Sequence, residues 1–372
     1  MSMIMNTLPR FSNDGQKDFA FTLRQRVDEY FTSNNISKNA NTSMVLRTIF
    51  CLTVWVGGYL TLVLGNYNLV TQYGIWAIMG ITMVWGAINI GHDAIHGAYS
   101  KNKWINALLS RSFDLNGASA YMWTKMHNTA HHTYTNIEGL DEDLKIAPFV
   151  RFSPEQPLKP SHKYQYLFTP FMYSLATLAW VFVKDYVKFF QNKVGNYNGQ
   201  KHPAKEYFYL FFYKAIYYIL FIAIPLYFVN FPWYHIMGGF LLMHFIAGFY
   251  LGLTFVLAHI VEETHFPIPK TDGTIENSWL VHQLYTTANF AAQSKVVSFL
   301  TGGLNCQVEH HLFPNTCSIH YPQLSAIVEK TAHEYDLPYY NNPTFFTAVK
   351  SHFKFLYKIG RTENYTPLPH TT

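Results

Sequence analysis

Two long stretches of the chain carry no charged side chain. No Asp, Glu, Lys or Arg occurs between Arg47 and Asp93, or between Lys214 and Glu262. Because a transmembrane helix takes about 20 largely apolar residues, each stretch has room for two such helices. A short polar turn divides each stretch near its middle. The pattern therefore predicts four membrane-spanning helices, arranged as two hairpins, at residues 46–65, 69–91, 210–229 and 236–258.

The positions of Lys and Arg predict the orientation of these hairpins. Both turns lack Lys and Arg, whereas residues 97–163 contain eight of them. Cytoplasmic loops of membrane proteins carry an excess of Lys and Arg. We therefore expect both termini and the long loop between the hairpins to lie in the cytoplasm.

Composition supports a multi-pass integral membrane protein in contact with the lipid bilayer. Only 13% of the 372 residues are charged, against about 25% in ordinary domains. The net charge of +5 comes from Lys and Arg in loops and termini, which we interpret as topology determinants, with no role in nucleic-acid binding. Three cysteines indicate a reducing compartment. We expect a cytoplasmic N-terminal segment (1–45) without a signal peptide, a membrane domain (46–330) and a cytoplasmic C-terminal segment (331–372).

Three short histidine clusters, which we call boxes, follow or flank the apolar stretches. They read HDAIH at residues 92–96, HNTAHH at residues 127–132 and QVEHH at residues 307–311. Their seven imidazoles exceed the four ligands that a structural zinc site takes. Imidazole suits iron, copper, zinc and nickel, whereas magnesium and calcium prefer oxygen ligands. The boxes therefore indicate two metal ions that share one site.

The spacing within the boxes indicates how they would present their ligands. His92 and His96 are four residues apart, so on a helix they share one face; His127 and His131 repeat this spacing, and His132 lies on an adjacent face. The consecutive His310 and His311 would have to diverge. Asp93 and Glu309 are candidate acceptors for imidazole N–H groups. His259 falls at the end of the fourth apolar segment, and His282 has either a metal-binding or a structural role.

A fifth apolar stretch, residues 164–183, is long enough to cross the membrane. A crossing would place the third box on the opposite side from the first two, which a shared metal site forbids. The stretch also contains Pro170. We interpret it as a helix in the membrane interface or packed against the bundle.

Any single box also arises by chance, because the HxxxH spacing is common, but three boxes on one predicted face favour a metal site. We assign structural roles to the other histidines in the long loop, the spans and the C-terminal part: His162, His202, His235, His244, His265, His320, His333, His352 and His370.

The three boxes around four apolar segments resemble those of the membrane fatty acid desaturases. The resemblance covers residues 45–330 and includes the surroundings of the third box, GGLNCQVEHHLFP at residues 302–314. Gln307 stands where most members have histidine, and in this feature the chain resembles the front-end subgroup. That subgroup inserts a double bond between an existing one and the carboxyl end, as Δ5 and Δ6 enzymes do.

This resemblance implies a centre of two non-haem iron ions (Fe²⁺) that uses O₂ as co-substrate. The ligands that it implies are His92, His96, His127, His131, His132, His259, His310 and His311. Gln307 would contribute an oxygen, directly or through water. The implied reaction introduces a cis double bond into a long-chain acyl-CoA or acyl-lipid.

Many front-end enzymes carry a fused cytochrome b5 domain with a His-Pro-Gly-Gly haem motif. The nearest string here, residues 202–205, reads HPAK and does not match. We therefore expect electrons to come from a separate ferredoxin or cytochrome b5 with its reductase. The chain looks similar to the bacterial linoleoyl-CoA (Δ6) desaturase-like group, which implies the bacterial inner membrane, with the endoplasmic reticulum as the alternative.

Two other functions remain open at this stage. A fatty acyl or sphingolipid hydroxylase uses the same scaffold, because rebound of a hydroxyl group in place of the second hydrogen abstraction gives an alcohol. A histidine-rich metal transporter would need ionisable residues inside its spans. Only His244 lies well inside a predicted span, so the pattern disfavours transport.

Overall fold

The structure is a computed structural model that describes residues 8–12, 16–145, 149–195, 197–199 and 201–368, with the backbone alone at 197 and 198. His370 lies outside the described residues. The chain is mostly helical, and its described part contains four helices that are long and apolar enough to cross a membrane. These apolar helices are, in chain order, Thr42–Leu64, Leu69–Ile95, Ala204–Phe228 and Trp233–His259.

The four predicted apolar helices are thus confirmed, with ends shifted by a few residues. Asn41 and Asn68 cap the first two: their side-chain oxygens accept hydrogen bonds from the backbone N–H of Met44 and Thr71. Such caps satisfy donors that an isolated helix end leaves unpaired. The second apolar helix extends past the predicted residue 91 to Ile95, and therefore contains most of the first box.

The second and fourth apolar helices pack closely and form the centre of the membrane region. A side chain at Gly80 would collide with the backbone of Met243, and one at Gly239 would collide with the ring of Trp76. Close approach of this kind through small residues is typical of membrane helix pairs. Trp76 and Met243 are buried in one large apolar cluster with side chains of the first and third apolar helices.

The fifth apolar stretch forms two helical segments, Pro160–Ser174 and Ala176–Phe190, which meet at a bend of 55°. We call them the bent helix pair. The pair lies against the fourth apolar helix, where Thr177 donates a hydrogen bond of 2.9 Å to the carbonyl of His244. By length and composition the pair is compatible with a broken span, so its predicted position on one side of the membrane stays a prediction.

The remaining helices of the described residues lie outside the apolar helices and the bent helix pair, and two of them, Thr124–His131 and Gln307–Leu312, contain most of the second box and the third box. They are Lys17–Ser33, Lys103–Leu115, Ala120–Trp123, Thr124–His131, Glu142–Leu144, Trp279–Thr286, Lys295–Leu300, Gln307–Leu312, Ser318–His320, Tyr321–Glu334 and Phe345–Ile359. Lys17–Ser33 packs on Tyr321–Glu334 through Phe19, Leu23 and Val328. Parts of both terminal segments therefore belong to the same folded unit as the boxes.

The described residues also contain three short strand pairs, which the all-α prediction did not include. Arg10–Phe11 pairs with Thr274–Ile275 and Ala288–Phe290 with Tyr340–Asn342, both in parallel, whereas Lys193–Val194 pairs with Tyr197–Asn198 in antiparallel register. Each strand has two or three residues, so the apolar pattern gave no signal for them. The first two pairs join segments that are far apart in the sequence.

Candidate metal centre

The first box lies where the second apolar helix changes its winding. The helix passes through a π-helical turn, Ala87–Gly91, before the α-helical turn His92–Ile95. A side chain at Gly91 would collide with Phe113, so glycine allows the helix Lys103–Leu115 to lie close against the box. His92 and His96 are buried, and their ring centroids are 4.7 Å apart.

The second box is π-helical. The segment Thr124–His131 winds with five-residue hydrogen bonds, and the backbone N–H of His132 donates to the carbonyl of His127. This winding brings Nε2 of His132 within 3.2 Å of Nε2 of His127. The α-helical spacing assumed from the sequence aligns His127 with His131, and these two rings are still stacked, with centroids 5.2 Å apart. π-Turns inside helices are frequent at functional sites.

The third box forms the short helix Gln307–Leu312, which follows a turn at Gly302 and Gly303. Both glycines have positive φ angles (65° and 83°). A side chain at Gly302 would collide with the carbonyl of Ile88. This turn therefore holds the third box directly against the π-helical turn of the first box.

Side chains from the three boxes and His259 converge in two buried groups. The first histidine group is His92, His96, His127 and His310; the second histidine group is His131, His259 and His311. Within each group the ligand atoms lie within 4.8 Å of one another. His132 lies beside both groups, with ring centroids 4.6 Å from His310 and 4.3 Å from His311. The two consecutive histidines of the third box thus point into different groups.

The ring nitrogens in these groups fit a pair of metal ions. A neutral imidazole has one donor and one acceptor nitrogen, and buried polar atoms normally find partners. The buried Nε2 atoms of His96, His131, His310 and His311 have no hydrogen-bond partner among the described residues. The Nε2 atoms of His92 and His132 instead face that of His127, at 3.4 and 3.2 Å. A metal ion in each group would satisfy these converging lone pairs.

The opposite ring nitrogens of four histidines are hydrogen-bonded, as is common for metal-binding imidazoles. The Nδ1 of His131 lies 3.0 Å from the carboxylate of Asp141, and the Nδ1 of His259 lies 3.2 Å from the carbonyl of Thr286. In the third box, the Nδ1 of His310 lies 3.2 Å from the hydroxyl of Tyr321, and the Nδ1 of His311 lies 2.8 Å from the Oε1 of Gln283. These contacts hold the rings with Nε2 directed into the groups.

Burial keeps most of these imidazoles in the neutral form that binds metal. It lowers the pKa of His96, His127, His132, His310 and His311 well below the usual value, and neighbouring histidines add to this effect. At His131 burial also opposes the charged form, but the carboxylates of Asp141 and Asp143 outweigh it and raise the pKa.

Two of the other predicted site residues make contacts close to the groups. The Nε2 of Gln307 lies 3.3 Å from Nε2 of His259, and its buried Oε1 has no hydrogen-bond partner among the described residues. His282 is outside both groups in the described chain. It donates from Nε2 to the carbonyl of Thr135 at 2.9 Å.

The two predicted carboxylates of the boxes contact other partners. Asp93 accepts hydrogen bonds of 2.9 Å from the backbone N–H and the hydroxyl of Ser318, and lies 3.8 Å from Nδ1 of His92. Glu309 accepts hydrogen bonds from Asn289 and Tyr339. Burial raises the pKa of Glu309 to about 7 despite these two bonds. Both carboxylates therefore tie the boxes to neighbouring segments of the chain.

The sequence reasoning missed Asp141, Gln283 and Tyr321. Asp141 lies in an acidic Asp-Glu-Asp string shortly after the second box, and this spacing was a usable signal for a carboxylate partner. Gln283 and Tyr321 lie in segments with no metal-binding pattern. Only the tertiary fold brings them to His311 and His310.

A cavity leads to the second histidine group from the side of the bent helix pair. This channel of about 140 Å³ has apolar and aromatic walls that include Trp123, Trp180 and Phe255, and His131 and His259 also line it. It shares Leu144, Lys145 and Lys184 with an open vestibule of about 600 Å³, whose lining includes four lysines. An apolar chain with a polar end matches this shape.

Four apolar helices and two buried histidine groups define a membrane-bound protein of the histidine-box metalloenzyme class. The family model for fatty acid desaturases matches residues 68–343. The chain therefore belongs to the fatty acid desaturase family, and it is an oxidoreductase that desaturates acyl groups.

Similar proteins agree with this assignment. The chain is 33% identical over 362 residues to an acyl-lipid (8-3)-desaturase of Physcomitrium patens, covering 95% of this chain and 74% of the relative. It is 32% identical over 361 residues to the sn-1 linoleoyl-lipid 6-desaturase of Synechocystis sp., covering 96% and 99%. A protein of the same name from Arthrospira platensis is 31% identical, covering 92% of both chains. The predicted membership of the desaturase family, with front-end members as relatives, is confirmed, and the transporter and hydroxylase alternatives are dropped.

Proposed function

We propose that this desaturase is a front-end enzyme that inserts a cis double bond into a membrane acyl-lipid at a centre of two iron ions. The observation that carries the proposal is the convergence of unpartnered imidazole nitrogens in two adjacent buried groups. Imidazole-rich sets with few carboxylates suit iron better than magnesium or calcium. The family membership favours iron over zinc or copper.

The eight predicted histidines would hold the two ions. His92, His96, His127 and His310 would bind one ion, and His131, His259 and His311 the other, with His132 and the Oε1 of Gln307 beside them. When bound, an iron pair would supply the oxidising power by which O₂, two external electrons and two protons remove two hydrogens from adjacent methylenes, giving an alkene and two water molecules.

The residues of this chain would position the acyl group and exclude water. The channel walls offer an apolar path to the second histidine group, and each buried methylene contributes about 0.8 kcal/mol to binding. Lys159 and Lys184 in the lining of the vestibule would attract a phosphate-bearing carrier. Lys145 and Lys188 also line it, and both are ion-paired with Glu142. Two relatives named linoleoyl-lipid 6-desaturase favour a lipid carrier over acyl-CoA.

The proposed arrangement in the membrane has two hairpins, with both termini and the metal centre on the cytoplasmic side. The cytoplasmic flanking segments (1–45 and 331–372) pack in part against the boxes of the membrane domain (46–330). A ferredoxin or cytochrome b5 with its reductase would deliver electrons there. The bacterial inner membrane is the proposed location, because two relatives come from Synechocystis and Arthrospira.

Heterologous expression with lipid and metal analysis tests the reaction. In a host without polyunsaturated lipids, we expect a new cis double bond nearer to the carboxyl end of supplied linoleic acid, found first in membrane lipids. The purified protein should contain two iron ions per chain. A product found only on CoA would exclude the lipid carrier, and a purified active enzyme without iron would exclude the metal assignment.

Site-specific labelling tests the arrangement in the membrane. Labels at Asn66 and Trp233 should react only from the non-cytoplasmic side, and labels at His162 and Lys205 only from the cytoplasm. Labels at His162 and Lys205 reacting from opposite sides would show that the bent helix pair crosses. The two-hairpin arrangement would then be wrong.

A further inference from the structure

Trp180 separates the channel from a second, apolar cavity. This far pocket of about 40 Å³ is lined by side chains that include Val84, Phe113 and Ala118. Trp180 and Leu251 line both the channel and the far pocket. The indole of Trp180 therefore lies at the boundary between the two cavities.

The ring of Trp180 is fixed on two sides. It stacks on Trp123 with ring centroids 4.9 Å apart and an interplanar angle of 20°, and the ring of Trp123 in turn lies 4.7 Å from that of His127. The indole N–H donates a hydrogen bond of 2.8 Å to Oδ1 of Asp185. The position of the indole is thus tied to a box histidine and to a carboxylate.

Asp185 belongs to a buried ion pair that anchors this position. Its Oδ2 accepts hydrogen bonds of 2.8 Å from Nζ of Lys214 and from the backbone N–H of Ser119. Lys214 also donates to the carbonyls of Gly117 and Val181, at 2.7 and 3.0 Å. Ionisable residues in apolar helices are costly and are usually functional. The network joins the third apolar helix, the bent helix pair and the loop before the second box.

From this geometry we propose that Trp180 determines substrate specificity, by limiting how far the acyl chain extends from the channel into the far pocket. Asp185 and Lys214 are positioning residues that hold the indole in place. The inference rests on the proposed function, in which the acyl chain occupies the channel. Replacing Trp180 with a small residue would join the channel to the far pocket and admit a longer chain.

The test is a competition between two fatty acids in the expression host. Linoleic acid and its homologue with two more methylenes at the methyl end are supplied in equal amounts, and both desaturated products are quantified in membrane lipids. Trp180→Ala should raise the ratio of the product from the longer fatty acid to the product from linoleic acid. We expect a rise of about fourfold for each added methylene that enters the vacated space. Ala118→Leu added to Trp180→Ala should reverse the shift, because it refills the far pocket.

Two further variants keep the test decisive. Trp180→Phe keeps an aromatic ring beside Trp123 but removes the N–H that Asp185 accepts, so it should shift the ratio in the same direction by less. It replaces Trp180→Ala as the deciding variant if the latter does not accumulate. Trp233→Ala, at an exposed tryptophan far from the channel, is the matched control and should keep the wild-type ratio.

The outcomes separate this inference from the proposed function. Desaturation by Trp180→Phe and Trp180→Ala at the wild-type length ratio would overturn the role of Trp180 while leaving the function intact. A wild-type enzyme that desaturates neither fatty acid would contradict the proposed function itself. A ratio that falls, with shorter products favoured, would also refute the inference.

Discussion

The two histidine groups draw on the same boxes but differ in how the surrounding chain supports them. The first group has four imidazoles, and the Nδ1 hydrogen bond that the described residues give it goes to the neutral hydroxyl of Tyr321. The carboxylates of Asp93 and Asp143 lie farther from two of its other Nδ1 atoms, at 3.8 and 3.6 Å. The second group has three imidazoles, all held at Nδ1, one of them by the carboxylate of Asp141. This difference indicates that the metal affinity of the second group depends more on the residues around its histidines, whereas that of the first group depends more on the histidines themselves.

Removal of one ligand from either group should have the largest effect. His310→Ala and His311→Ala should each lower desaturation by more than about 100-fold, because even changes behind the ligands cost 10- to 100-fold in metal-site function. Iron content should fall from two ions to one in each variant if the groups bind metal independently. Metal analysis and lipid profiling of the purified variants check this.

His235→Ala is the control for these variants, since His235 lies at the start of the fourth apolar helix, outside both groups. Full turnover by His310→Ala or His311→Ala would contradict the metal assignment. Loss of both ions in both variants would show that the groups act as one site, and the comparison between them would no longer hold.

Asp141→Asn should weaken the second group selectively. The asparagine has nearly the same shape but loses the charge that orients His131 and raises its pKa. We expect a 10- to 100-fold loss of metal affinity, as is typical for a carboxylate behind a ligating histidine, with the first group still occupied. Titration with a chelator, followed by iron analysis, would measure one tightly and one weakly held ion. Equal retention of both ions would contradict the asymmetry.

The sequence predicted the apolar helices and the clustering of the box histidines better than their mutual geometry. The uncharged stretches on both sides of Asn66 and Asn230 predicted long apolar helices, which the structure contains, and the box histidines do come together in buried groups. The pairing of His127 with His132 was not predictable from α-helical spacing, because π-winding adds a residue to the turn.

The supporting residues show a second limit of the sequence. Asp93 and Glu309 are adjacent to ligands and were natural candidates to hold imidazoles, yet the fold directs them to Ser318, Asn289 and Tyr339. Gln283 takes such a role at His311 although it belongs to no box. Neighbours in the sequence often point to different sides of a short helix, so adjacency alone does not predict these contacts.

Substitution of Gln307 should have an effect of intermediate size. Gln307 lies beside the second group, which has fewer imidazoles. Gln307→Ala should lower the metal affinity of the second group by about 10-fold, the lower end for residues around a metal site. Gln307→His should restore part of it, since imidazole is a suitable ligand for the same ion. Chelator titrations of both variants measure the difference. Loss of the ion from the first group in either variant would show that Gln307 supports the first group, which would contradict its assignment to the second.

Tyr321→Phe should have the smallest effect, and it probes the first group alone. The substitution removes the hydroxyl that lies 3.2 Å from Nδ1 of His310 and leaves the buried ring in place. A neutral hydrogen bond contributes about 1 kcal/mol, which corresponds to about fivefold in metal affinity. The same chelator titration should therefore show a small shift for the ion of the first group and none for the second. A shift as large as that of Asp141→Asn would mean that both groups rely equally on their Nδ1 partners, because a neutral hydroxyl would then support its histidine as strongly as a carboxylate does.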